Sequence, residues 1–190
     1  MEFKEVINRR RSIREFSNKA LTKSQMNYLF NAARLSPSAA NRQPWKFVVL
    51  ENDAKNKVAD ILEKDITKED LIDIQKPTTY YNAASSLINS IRIIREVPVL
   101  ILVFRNKDED WLCGDYLSIG SAVEHIALAA VDINLSSLWI RDVIYKSEEI
   151  AKYVKHEKDE LVVGMVIGYG TEPYYKINKK GISDIVEWLS

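Results

Sequence analysis

A single cysteine, Cys113, rules out an intramolecular disulfide. Charge of one sign is not in excess: 27 basic residues face 27 acidic ones. A dedicated nucleic-acid binder usually carries a basic surplus, so the balance argues against that role. Apolar runs such as 97–104 (VPVLILVF) are far too short to span a bilayer. The first residues, MEFKEVINRRR, have no apolar stretch of the signal-peptide kind. Glycine and proline are sparse, and no repeat, low-complexity tract or linker is visible. Two scattered histidines, His125 and His156, make no metal site. Gly168 and Gly170 are not followed by the rest of a dinucleotide fingerprint. What remains is a chain of 190 residues, 46% apolar, that suits one domain spanning 1–190 and reads as a cytoplasmic protein with no membrane or nucleic-acid partner.

The patterning is helix-rich. A short helix fits residues 3–9. Thr22 and Gln25 form a capping box, flanked by Leu21 and Met26 as a hydrophobic staple, and helical spacing runs on to about Leu35 before Pro37. Strands are expected at 45–50, 99–104, 135–140 and 161–169, and helices at 55–63, 80–95 and 115–132. Asn134 fits a left-handed cap after the last of these. A small helix capped by Ser147 is expected over 148–154, and a terminal one near 182–189. Residues 64–78 are polar and weakly patterned. Many helices and few strands imply a small sheet covered on both faces. Periodicity leaves both a doubly wound and an α+β arrangement open, with right-handed βαβ winding possible.

Two segments stand out chemically. Arg9, Arg10, Arg11 and Arg14 put four guanidinium groups within six residues, beside the Ser12 hydroxyl. Forked donors of this kind match phosphate oxygens. Alone, the segment reads first as a solvated basic turn, with phosphate or weak nucleic-acid contact as the other readings. The second segment, Ser36 to Trp45 (SPSAANRQPW), lies between a helix and a strand. Its prolines stiffen it, its small side chains admit a flat ligand, and Asn41 and Gln43 offer donors and acceptors. Alone, it reads first as a structured loop anchored by Trp45.

Taken together, R-R-S-x-R followed by S-P-S-x-x-N-x-Q-P-W resembles the nitroreductase family. Residues 97–104, 119–141, 161–173 and 176–187 extend the resemblance, while 52–95 match loosely. The resemblance implies an α+β fold with a small, mixed, mainly antiparallel sheet covered by helices on both faces, and an intertwined homodimer. It implies FMN as cofactor, NADH or NADPH as co-substrate, and a small-molecule electron acceptor such as a nitroaromatic or quinone. Hydride would pass to flavin N5, the nicotinamide would leave, and the acceptor would take its place. No side chain is then needed as nucleophile or base, because the flavin carries the chemistry.

Residue by residue, the resemblance implies that Arg10 and Ser12 reach the FMN phosphate, with Arg11 along the ribityl chain or the phosphate. Lys179, or its neighbour Lys180, is the second basic contact, where most relatives have arginine. Arg14 lies at the pyrimidine edge near N1 and O2. Pro37, Ser38 and Ala39 come from the other subunit, with Asn41 and Gln43 at the flavin rim. The backbone of Ser137, Leu138 and Trp139 faces the ring. Arg141 stands where some relatives are acidic. Cys113 is expected to be buried or inert, Glu124 to lie on a helix surface or interface, and Trp111 and Trp188 to serve packing or an interface. The rival readings are another reductive reaction on the same scaffold (dehalogenation, ene reduction, flavin degradation), a flavin- or nucleotide-binding module without turnover, and nucleic-acid contact through Arg9 to Arg14.

Overall fold

In the computed structural model, residues 1–64, 66, 83–173 and 177–189 are described. Most of the weakly patterned stretch 64–78, and the start of the helix expected from residue 80, lie outside them. The chain runs α1 (Phe3–Arg9), α2 (Lys23–Arg34), β1 (Trp45–Glu51), α3 (Asn52–Glu63), α4 (Ala83–Glu96), β2 (Val99–Asn106), α5 (Leu112–Asp132), β3 (Ser136–Ile140), α6 (Ser147–Tyr153) and β4 (Asp159–Gly168). Short 3-10 turns cover Ala39–Asn41, Glu109–Trp111, Arg141–Lys146 and Ile182–Asp184.

The four strands are ordered β1-β2-β4-β3, and every neighbouring pair is antiparallel. The α+β expectation therefore holds, and among the described strands no βαβ winding occurs. The apolar run of β2 explains the layering. Leu100, Leu102 and Phe104 pack on one face with α3, α4 and α6. Val99, Ile101 and Val103 point the other way, against α2 and α5. A strand covered on both faces must be apolar on both, which is why the sequence shows a run and not an alternation. No described helix is long and apolar enough to cross a membrane.

Local chemistry sets the helix ends. Gln25 N–H donates to Thr22 Oγ1 at 3.2 Å, and Gln25 Oε1 accepts from Thr22 N–H at 2.9 Å. Asn134 takes φ 57° and lets Leu135 N–H return to Ala130 O at 2.7 Å. Two expectations fail. Ser147 is the first residue of α6, not its cap, because the chain enters directly from the 3-10 turn before it. The helix expected over 182–189 is only the turn Ile182–Asp184. Ile182, Ile185, Trp188 and Leu189 stay exposed in the protomer. A segment this short does not hold a helix in water without a surface to pack on.

α4 is pinned at its C-terminal end by Lys55 of α3, a buried lysine. Its ammonium donates to Ile94 O at 2.9 Å, Arg95 O at 2.6 Å and Asn56 Oδ1 at 3.1 Å. Burial, aided by the nearby Arg95 charge, lowers its pKa from 10.5. The unfolded chain then binds this proton more tightly than the folded one. Stability from this group should rise as pH climbs from the lowered folded value toward 10.5. Denaturant titrations across that alkaline window should show the rise, and Lys55→Met should remove it.

Candidate functional site

Residues 10–17 lie along the ends of β3 and β4 as an added edge. Ser12 bridges Ser137, and Phe16 bridges Gly170. Ile13 N–H donates to Ser137 O at 3.2 Å, Ser17 N–H to Tyr169 O at 2.9 Å, and Thr171 N–H to Glu15 O at 3.0 Å. Gly170 permits the approach: a Cβ there would stand 2.6 Å from Ser136 Oγ and 3.0 Å from Ile13 Cγ2. The Arg14 backbone N–H donates to the Glu172 carboxylate, and its guanidinium donates to Ser12 O at 3.1 Å.

This edge sends its arginines into several clefts, two of which gather the predicted site residues. Arg14 lines one of about 370 Å³, with Leu138 and Trp139 of β3 and Ser86, Asn89 and Ser90 of α4. Trp139 alternates outward on β3 and is 44% exposed, while its neighbours Leu138 and Ile140 are buried. Arg10 and Arg11 line the other, of about 550 Å³, with Asn8, Lys179, Glu124 and Leu128. Lys179, not Lys180, is the lysine there. Glu124 Oε1 lies 3.5 Å from Arg10 Nε, so one carboxylate already faces the cationic group. The Ser137 side chain is buried, and its carbonyl is engaged by Ile13.

The loop that the resemblance assigns to the other subunit's flavin lies on α5 of its own protomer. Ala39 N–H donates to Ser118 Oγ at 3.0 Å, which seats the loop on the first turns of α5. None of Pro37, Ser38, Ala39, Asn41 or Gln43 lines either cleft of its own protomer. Ala40, Asn41 and Gln43 all adopt positive φ, at 49°, 54° and 50°. Three left-handed residues without a glycine form a strained loop that its surroundings must over-determine. Ser38 Oγ accepts from Gln43 N–H at 3.1 Å, and the Gln43 amide donates to Asn41 O at 3.3 Å. Arg42 supplies the anchor: it reaches Asp108 at 2.8 Å and the fully buried Asp115 at 3.3 Å, and lies 4.6 Å over the Trp111 ring.

Sequence reasoning missed Arg42, and although it expected the helix α4 it missed that helix's polar face as a cleft wall. Ser86, Asn89 and Ser90 follow the i, i+3, i+4 rhythm of one helix face, and Ile93 continues that face into the cleft. That polar stripe was the available signal. It also missed Asp142, buried in the turn after β3. Cys113 is exposed and so not buried, because it falls on the outward side of the first turn of α5. Arg141 is stacked loosely over Tyr145 at 6.0 Å. His156 pairs with Asp159 at 2.6 Å and stacks on Phe104, and His125 meets the Ser36 hydroxyl. No cluster of metal-ligating side chains is found among the described residues.

The family model described as Nitroreductase family matches residues 7–169. A Caenorhabditis elegans protein, iodotyrosine dehalogenase 1 homolog, is 26% identical over 181 residues, covering 90% of this chain and 55% of that protein. Iodotyrosine deiodinase 1 of Sus scrofa is 32% identical over 106 residues, covering 55% of this chain and 36% of that protein. The chain thus spans about half or less of the curated relatives it matches. Among solved structures, the FMN and NADPH-dependent nitroreductase NfnB from sphigopyxis sp. strain HMH superposes with TM-score 0.82 at 16% identity, over 100% of both chains. The BluB-like flavoprotein from Clostridium difficile 630 superposes with TM-score 0.77 at 22% identity, again over 100% of both. The structural matches share its fold, and the family match over residues 7–169 places this chain in the nitroreductase family.

Proposed function

We propose that the protein, acting as one unit over 1–190, is an FMN-dependent NAD(P)H oxidoreductase that reduces an oxidised acceptor such as a nitroaromatic or quinone. The observation that carries this reading is the pair of clefts fed by one segment. Arg10 and Arg11 meet Lys179 in one, and Arg14 meets Trp139 and the polar face of α4 in the other. A cationic hollow and a half-apolar cleft, both reached by one segment, suit a phosphorylated, planar cofactor. FMN, when bound, supplies hydride acceptance and donation at N5. Arg10, Arg11, Ser12 and Lys179 would hold its phosphate end, and the Ser137–Trp139 backbone would face its ring. Arg14 would set a fixed cation where negative charge develops on reduction. The naming of NfnB as FMN- and NADPH-dependent supports this cofactor pair.

Pro37, Ser38, Ala39, Asn41 and Gln43 enter this reading as a wall lent to a second copy. Two features support a homodimer. The loop is internally hydrogen-bonded and anchored by Arg42, yet lines neither cleft of its own protomer. Leu117, Ser121, Glu124 and Leu128 recur on the outward side of α5, with Leu117 72% exposed.

Reductive dehalogenation is the second reading, favoured by the deiodinase relatives. Oxidation of NADPH or NADH should be followed with a nitroaromatic, a quinone and an iodotyrosine in parallel. Turnover with the first two supports the proposal, and turnover with the iodotyrosine alone moves the assignment to dehalogenation. Arg14→Ala should weaken FMN binding about tenfold or more and lower the flavin potential. Unchanged affinity and potential would refute the role of Arg14.

A further inference from the structure

The turn after β3 is held unusually close to the sheet. A Cβ on Gly164 of β4 would stand 3.0 Å from Val143 Cγ1 and 3.2 Å from Ile140 O. The glycine therefore lets residues 140–143 lie flat on β4, and the buried Asp142 is fixed in place as a result. The residue is only 6% exposed, and what remains open borders the Arg14 cleft that it helps to line. One oxygen, Oδ2, accepts from Ser86 Oγ at 2.8 Å and from Ser90 Oγ at 2.6 Å, both on α4. Ser90 is itself buried. One oxygen that accepts from two hydroxyls of the same helix ties the turn to that helix at two positions.

The tie lies where α4 needs it. Lys55 clamps Ile94 O and Arg95 O at the C-terminal end of the helix. Ser86 and Ser90 lie one to two turns earlier, so α4 is fixed at two separated points. Between the two serines on the same face is Asn89, which lines the Arg14 cleft with them. The turn that carries Asp142 also continues from Trp139, on the facing side of that cleft. The carboxylate thus ties one wall of the cleft to the other.

We propose that Asp142 is a positioning residue: by clasping Ser86 and Ser90 it holds the polar face of α4, Asn89 included, against the cleft. Its consequence for cofactor binding rests on the FMN reading above, whereas the clasp itself does not. Asp142 acts through α4 and carries no step of the reaction. What it requires is an acceptor oxygen at that place, and an asparagine amide oxygen supplies one.

The test uses Asp142→Ala, Asp142→Asn and Ser90→Ala in the full chain, with two readouts. Hydrogen exchange in the flavin-free protein reports on α4 itself. In Asp142→Ala, amides of residues 86–93 should exchange about tenfold faster or more, with those of β2 unchanged. FMN affinity should fall by about tenfold or more in the same variant, and the visible spectrum of the bound flavin should change. Asp142→Asn should restore both readouts to within about threefold of the parent, because the hydroxyls keep their acceptor. Ser90→Ala should fall between, and it decides the matter if Asp142→Ala does not fold. Unchanged exchange in α4 overturns the clasp. Damage in Asp142→Asn equal to that in Asp142→Ala also overturns it, since the charge and not the acceptor would then matter. A parent protein that takes up no FMN defeats the functional reading alone, and the exchange measurement still decides the clasp.

Discussion

Replacing Arg10 and Lys179 together with alanine is expected to weaken FMN binding by about a hundredfold or more, while riboflavin binding stays nearly unchanged. The two side chains reach the same cleft from opposite ends of the chain, one from the end of α1 and one from the C-terminal segment. Each charge-assisted hydrogen bond to a phosphate contributes about 1.5–3 kcal/mol, so two lost together give the stated factor. Riboflavin lacks the phosphate and so serves as the internal control. Titrating both flavins against the parent and the double variant, by quenching of flavin fluorescence, gives the answer directly. An equal loss for both flavins would mean that the arginine and lysine support the fold and not the phosphate. Because salt screens the attraction between these cations and the phosphate, raised salt should weaken FMN binding in the parent more than in the double variant.

Gly170→Val should be the most damaging single substitution near the site. The glycine takes no left-handed conformation, so the objection to a side chain is purely one of space. A Cβ would stand 2.6 Å from Ser136 Oγ and 3.0 Å from Ser136 Cβ and Ile13 Cγ2. The neighbours on both sides belong to the paired segments that define the site, so neither moves cheaply. Overpacking of this kind costs about 1–3 kcal/mol. The larger effect is functional. The segment that carries Ser12 and Arg14 is held to β3 and β4 by Ile13–Ser137, Ser17–Tyr169 and Thr171–Glu15 hydrogen bonds. Pushing it outward should abolish measurable flavin binding while leaving a folded protein by circular dichroism. Gly170→Ala combined with Ser136→Gly removes the nearest clash and should recover much of the binding. Full FMN affinity in Gly170→Val would show that the edge segment does not place the arginines.

Legibility in the sequence followed how local the cause was. The apolar run of β2, the Thr22–Gln25 box and the left-handed Asn134 each depend on neighbours a few residues away, and the structure bears out all three. The terminal helix depended on a surface that the protomer lacks, so its apolar spacing misled. Arg14 and Trp139 line one cleft, although 125 positions separate them in the chain (139 − 14). The Ser38–Gln43 loop lines neither cleft of its own protomer, and the resemblance assigns its first residues to the other subunit. Asp142, Ser86 and Ser90 were invisible for a different reason. A short polar side chain on a helix reads as solvated until a buried carboxylate is known to face it, and that pairing spans 56 residues between Ser86 and Asp142. Arg42 escaped notice in the same way, since its value lies in the buried Asp115 that it neutralises.

Anaerobic titration of the FMN-loaded protein with NADPH or NADH tests the central claim most directly. The account predicts that the purified chain takes up FMN and is yellow, that the colour bleaches on adding the nicotinamide, and that a nitroaromatic or quinone then restores it. A protein that takes up FMN but keeps its colour in the presence of both nicotinamides would contradict the oxidoreductase reading, and one that takes up no FMN would contradict the site itself.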